Sequence, residues 1–233
     1  MMGIARSFVG VTALLVACTP NPPTGEAVRD SVGEHVAQIL AARSDTPDGR
    51  GYLPVAMAEA TIARLHAGLA QQNRGDLESM QLHTLHVIHA IDPNRIEVGP
   101  GLGFGLDRAV SGIVEEIRIA IDLQSDPHFT MIAGDVLASA EVVLVRAQEA
   151  IRTAESVSRT LDPQRAAALV AELKGITDRI VGGVGIVGGV GANEDETGEQ
   201  VAGEGGLRRI ERDMESIANL AAMPPAAYPP AGE

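Results

Sequence analysis

Aromatic residues are almost absent from this chain, and their scarcity restricts the folds that it can adopt. The 233 residues include three Phe, two Tyr and no Trp, although hydrophobic residues make up 45% of the sequence. The hydrophobic core must therefore be built mainly from Ala, Leu, Ile, Val and Met. Such side chains suit closely packed helices, whereas β-sandwiches favour aromatic and β-branched pairs. Since no segment alternates polar and apolar residues as a half-buried strand does, the sequence predicts an all-α fold.

Helix start signals recur along the chain and divide it into segments. Asp precedes Pro at 126–127 and 162–163, and Asp76 follows the turn-forming Asn73-Arg74-Gly75. An Asp side chain caps a helix N-terminus, and the fixed φ of proline suits the first turn. We expect helices at about 26–42, 54–72, 76–91, 106–123, 126–160, 162–180 and 206–222. The Gly-rich segment 98–105 is expected to be a bend that lets the third and fourth helices pack closely.

The mainly short connections predict an up-and-down helical bundle with four main helices, residues 54–160 at its centre, and extra flanking helices. The expected organisation is a signal peptide at 1–17, a tether at 18–25, a bundle domain at 26–181, a Gly-rich and acidic linker at 182–205, a C-terminal helix at 206–222 and a disordered tail at 223–233.

The N-terminus has the pattern of an export signal. Arg6 precedes an apolar run at 8–16, and the end of this run overlaps with the segment Leu15-Val16-Ala17-Cys18. A run of this length fits a cleaved signal, because a helix that spans a bilayer needs about 20 apolar residues. The segment resembles the lipobox of bacterial lipoproteins, which implies that Cys18 carries a lipid and becomes the mature N-terminus. Cys18 is the only cysteine, so no intramolecular disulfide can form.

This resemblance implies attachment to the cell envelope by the N-terminal lipid. Thr19 after the cysteine resembles the pattern for transport to the outer membrane, on its periplasmic side, in a Gram-negative cell. The net charge of −13 argues against binding to nucleic acid or to anionic lipid headgroups. No catalytic motif of a hydrolase is present, so the sequence does not indicate an enzyme.

Histidines are concentrated in the expected third helix and beside it. His83, His86 and His89 lie within an arc of about 120° at 100° per residue. In an antiparallel hairpin centred on residue 74, positions whose numbers sum to about 148 lie at the same height, which sets His66 opposite His83 and Glu59 opposite His89. Helical bundles build metal sites from such facing ligands. The sequence therefore predicts that these five residues bind a transition metal, zinc or copper.

The segment HTLHVIH at 83–89 resembles helices of the His-bearing periplasmic metal-binding bundles, although their repeat does not continue here. Haem is a further hypothesis, since bundle b-type cytochromes use Met and His ligands, as Met57 or Met80 with His83 or His86 would do. The scarcity of aromatic residues disfavours it, and the absence of CxxCH excludes c-type attachment. The alternative is a structural lipoprotein without metal, whose histidines only pack and whose acidic surface docks an envelope protein.

An acidic segment near the C-terminus predicts a second cation site. Its oxygen-bearing residues have the spacing of a twelve-residue calcium loop, with Gly198 at the sixth position. The candidate ligands are Asn193, Asp195, Thr197, Glu199 and Glu204. The segment resembles an EF-hand loop, but Asn replaces the usual Asp at the first position and glycines replace the preceding helix. The alternative is a solvated acidic linker.

Overall fold

Seven α-helices account for most of the part of the chain that the computed structural model describes, residues 25–184 and 205–222. The helices are α1 (Gly25–Leu40), α2 (Tyr52–Gln72), α3 (Leu77–Ile91), α4 (Leu106–Leu123), α5 (Pro127–Arg159), α6 (Pro163–Gly182) and α7 (Leu207–Ala222). A short 3-10 turn, Pro47–Gly49, lies between α1 and α2. Within the described ranges no strand forms, so the predicted all-α class is confirmed.

Aspartates begin three of these helices, as the sequence predicted. The carboxylate of Asp76 accepts from the Ser79 N–H at 3.1 Å, and that of Asp126 accepts from the Phe129 N–H at 2.8 Å. Asp162 accepts from two N–H groups of the first turn of α6. Helix α2 begins two residues before its predicted start, so Pro54 lies inside its first turn. Proline fits there because the first four N–H groups of a helix have no intrahelical partner.

Replacing Asp126 with Ala is expected to lower the free energy of unfolding by about 1 kcal/mol, because the N–H of Phe129 loses its acceptor. Urea unfolding followed by circular dichroism measures the loss. Asp126→Asn is the matched control, since it keeps a side-chain oxygen and should stay close to the parent stability. Equal losses in the two variants would contradict a capping role.

Helix α5 lies at the centre of the bundle and packs against α3, α4, α6 and α7. Its alanines at 133, 140, 147 and 154 are all fully buried, and they recur every seven residues along one face. Helix α2 packs against α3, α4 and α6, while α1 packs against α4 and α7. Small side chains at the contacts let neighbouring helices approach closely. The expectation of a core with few aromatic residues is thereby met within the described residues.

The last helix shares the core of the others. Leu207, Ile210, Met214 and Ile217 of α7 are fully buried and belong to the same apolar cluster as α2, α4 and α5. Arg146 of α5 donates to backbone carbonyl oxygens on both sides of the gap before α7, at Arg179 and Gly205, each at 3.1 Å. Residues 206–222, which the sequence set apart behind a linker, thus pack into the bundle.

Helix α5 is also the one helix of the described residues that could cross a membrane by its length and composition. It packs against four other helices, and its exposed positions include Asp135, Glu141 and Arg152. Charged side chains at these positions fit a helix that packs within a bundle, which passes the same test of length and composition.

Candidate metal centre

The hairpin of α2 and α3 sets the positions of the histidines. Helix α2 ends at Gln72, the N–H of Asp76 donates to the carbonyl oxygen of Asn73, and the Asp76 side chain caps α3. The two helices therefore run antiparallel about a short turn. His66 lies seven residues before Asn73, and His83 lies seven residues after Asp76, so the two imidazoles occupy the same height on facing helices.

Three imidazoles converge at this height. The Nδ1 atoms of His66 and His83 are 3.1 Å apart, and those of His66 and His86 are 3.3 Å apart. The ring of His66 lies 4.6 Å from that of His86 and 5.3 Å from that of His83, measured between centroids. One ligand atom from each residue lies within 4.8 Å of the other two. The structure thus brings together three of the five residues predicted to bind metal.

The two short nitrogen separations, 3.1 and 3.3 Å, are close to those expected around a metal ion. With Zn–N bonds of about 2.0–2.1 Å, tetrahedral geometry places two ligand nitrogens about 3.3–3.4 Å apart. Hydrogen bonds alone satisfy this cluster poorly, because each imidazole nitrogen carries either one proton or one lone pair. The Nδ1 of His66 would have to serve two neighbours at once. A cation among the three nitrogens would accept one lone pair from each.

Burial and mutual repulsion lower the pKa of two of the three imidazoles, those of His66 and His86. His66 is only 9% exposed, and burial followed by repulsion from His86 and His83 lowers its pKa to about 4. Burial is also the main cause that lowers the pKa of His86, and repulsion from His83 and His89 adds to it. A neutral imidazole is the form that donates a lone pair to a metal. These two imidazoles can therefore donate a lone pair to a cation near pH 7.

The metal-free chain is expected to lose stability as the pH falls from about 6.5 toward 4. In that window an unfolded histidine binds a proton near its ordinary pKa of about 6.5, whereas folded His66 binds one only near pH 4. The unfolded state then holds more protons, so acid favours unfolding. Urea unfolding at several pH values measures the slope, and His66→Gln should flatten it. A slope that is the same in His66→Gln as in the exposed control His128→Gln would contradict the prediction.

Glu59 lies in a different environment from the three imidazoles. Its side chain is fully buried and accepts three backbone N–H groups of the Gly-rich segment, from Leu102 at 3.3 Å and from Phe104 and Gly105 at 3.0 Å each. Gly101 has a φ of +135°, and a Cβ there would lie 2.5 Å from Glu59 Oε2. The carboxylate thus anchors the connection between α3 and α4.

His89 is also engaged by this connection. Its Nδ1 lies 2.6 Å from the carbonyl oxygen of Ile96, to which it donates, and the residue is buried. A Cβ at Gly99 would lie 2.6 Å from the His89 ring, so only glycine lets the backbone pass this close. The Gly-rich segment was predicted to be a bend that lets α3 and α4 pack closely. It connects the two helices, but they hardly contact each other, because the segment folds back over Glu59 and His89 instead.

A second buried cluster was missed in the sequence. Glu116 of α4, almost fully buried, receives His35 Nδ1 at 2.5 Å and Arg43 Nη1 at 2.6 Å. Arg43 also binds Asp45 and lies over the ring of Tyr52, 5.0 Å from its centroid. His35 and Glu116 are 81 residues apart, so no local pattern pairs them. The cluster joins α1 to α4.

The remaining predicted site residues lie outside the described residues. These are the lipidation site Cys18 and the candidate calcium ligands Asn193, Asp195, Thr197, Glu199 and Glu204. Both predictions therefore stay predictions. Met80, considered as a haem ligand, is fully buried in a separate apolar cluster with Ala70, Val157, Ala166 and Val170.

No family model matches this chain, and no curated protein or solved structure matches it significantly. Its function has to be inferred from the geometry of the three imidazoles.

Proposed function

We propose that this chain binds a transition metal ion, zinc or copper, through His66, His83 and His86. The observation that carries the proposal is the convergence of their Nδ1 atoms, 3.1 Å and 3.3 Å apart, on facing helices of one hairpin. The Nδ1 of His66 faces both other rings, and one imidazole nitrogen cannot satisfy two neighbours by hydrogen bonding alone. A cation bound by all three is a partner that they share.

The ligand type supports zinc or copper over other cations. Calcium and magnesium prefer oxygen ligands, and this cluster of nitrogens contains no carboxylate from the described residues. Imidazole suits zinc, copper, nickel and iron, and copper binds such sites most strongly in the divalent series. Zinc accepts the tetrahedral arrangement that the two nitrogen distances fit. These two metals are therefore the ones to test first.

Titration of the metal-free chain with zinc and with copper against a chromophoric chelator tests the proposal. We expect binding of one ion per chain. Single variants His66→Ala, His83→Ala and His86→Ala should each weaken it by at least about 100-fold, since loss of a mere supporting residue already costs about 10- to 100-fold. His128→Ala is the matched control, because His128 is exposed on α5. Parent-like binding in all three variants would contradict the proposal.

We further propose that the protein is a lipoprotein of the bacterial cell envelope, attached through Cys18. The apolar run at 8–16 and the adjoining lipobox-like residues support this. Mass spectrometry of the protein from membranes of a bacterial host should show an N-terminal residue 18 carrying a lipid. Cys18→Ser should leave the membrane fraction. A parent chain that starts at residue 1 and carries no lipid would contradict this part of the proposal.

A further inference from the structure

The three imidazoles form an incomplete ligand set for a four-coordinate ion. Within residues 25–184 and 205–222, the potential ligand atoms that lie within 4.8 Å of one another come from His66, His83 and His86, with no fourth His, Asp or Glu among them. Structural zinc sites use four protein ligands, whereas sites with three keep the fourth position for water or another exchangeable ligand. A set of three imidazoles favours a site whose fourth position is taken by water or another exchangeable ligand.

Glu59 and His89, the two other residues that the sequence predicted to bind the metal, have other hydrogen-bond partners. The carboxylate of Glu59 accepts three backbone N–H groups, and Nδ1 of His89 donates to the carbonyl oxygen of Ile96. Moving either side chain to the metal would leave buried polar groups without partners, which is unfavourable. Completion of the site by Glu59 or His89 is therefore disfavoured.

Solvent can reach the centre from the side of α3. His83 and His86 are half-buried, whereas His66 on α2 is almost covered. A ligand from solution would thus approach over the two α3 imidazoles. Imidazole is a neutral ligand, so three of them leave the whole charge of a divalent ion uncompensated. A small anion at the fourth position would offset part of that charge.

We propose that a metal ion bound by His66, His83 and His86 keeps one exchangeable coordination position, which takes water or a small monovalent anion. This inference rests on the proposed metal binding. The anion replaces the bound water, and no bond of the protein is made or broken. Ligands of this class include hydroxide, halide, azide and short carboxylates.

Cobalt(II) reports on such a position, because its visible absorption bands depend on the number and type of its ligands. The full chain is loaded with cobalt(II) and titrated with sodium azide, with sodium perchlorate at equal ionic strength as the control. We expect a saturable shift of the bands at one azide per cobalt and no shift with perchlorate. Unchanged bands at saturating azide would overturn the inference.

The same titration separates this inference from the proposed function. Cobalt bands that are lost in His66→Ala but do not respond to azide would support metal binding by the three imidazoles and refute the open position. X-ray absorption spectroscopy of the zinc-loaded chain in the presence of bromide repeats the test with a proposed metal. Absence of zinc, copper and cobalt binding would overturn both proposals.

Discussion

Replacing Glu59 with Ala is expected to lower the free energy of unfolding by about 3–5 kcal/mol. The fully buried carboxylate accepts the N–H groups of Leu102, Phe104 and Gly105. Each of these donors loses its acceptor, and each unpaired buried group costs about 1–3 kcal/mol. Urea unfolding at pH 7, followed by circular dichroism, measures the loss.

Two further variants make this prediction specific. Glu59→Gln keeps one acceptor oxygen but places an NH2 group against one of the backbone donors, so we expect an intermediate loss. Glu115→Ala changes an exposed carboxylate on α4 and should alter stability by no more than about 0.5 kcal/mol. A loss below about 1 kcal/mol in Glu59→Ala would show that the Gly-rich segment is not anchored by this residue.

The Glu59 variants also bear on the metal centre. Because the carboxylate is held by the Gly-rich segment, folded Glu59→Gln should bind the same amount of zinc as the parent chain. If Glu59→Gln had the stability of the parent chain but no longer bound zinc, Glu59 would instead be a metal ligand, as the sequence predicted. The two readouts thus separate a structural role from a role in coordination.

The second large effect concerns His66. A ligand that binds only the folded state stabilises it by about 2.7 kcal/mol at 100 times its Kd. For a chain of this size, each kcal/mol raises the Tm by about 2–4 °C. We therefore expect zinc to raise the Tm of the parent chain clearly and to leave the Tm of His66→Ala unchanged. His66 is the most informative residue to replace, because its Nδ1 lies close to the Nδ1 atoms of both His83 and His86.

The control for this measurement is His128→Gln, which should keep the full shift because His128 lies exposed near the start of α5. Differential scanning calorimetry with and without zinc gives both values. An equal shift in the parent chain and in His66→Ala would place the bound metal elsewhere on the molecule and contradict the assignment of the centre.

Local sequence signals were sufficient to predict the helices. An Asp cap or a proline in the first turn acts within four residues, so Asp76, Asp126 and Asp162 could be identified without knowledge of the packing. The turn between α2 and α3 is also short, and it fixes the register of the two helices. This register predicted that His66 would lie opposite His83, and the structure brings their nitrogens together.

The remaining parts of the site depend on distant residues and could not be predicted in this way. Glu59 lies on the same face of α2 as His66, but its hydrogen-bond partners belong to a segment more than 40 residues further along the chain. His89 continues the spacing of His83 and His86, yet the passing backbone near Gly99 and Ile96 engages its ring. Helical periodicity specifies a face, and only the packing of the whole chain decides which side chains on that face remain available.

Metal binding by the three imidazoles is tested most directly by a zinc anomalous difference map from crystals of the zinc-loaded chain. We expect one strong peak about 2.0–2.1 Å from an imidazole nitrogen of each of His66, His83 and His86. A zinc peak bound by other residues, or no peak between these three rings in a chain that demonstrably holds zinc, would contradict it.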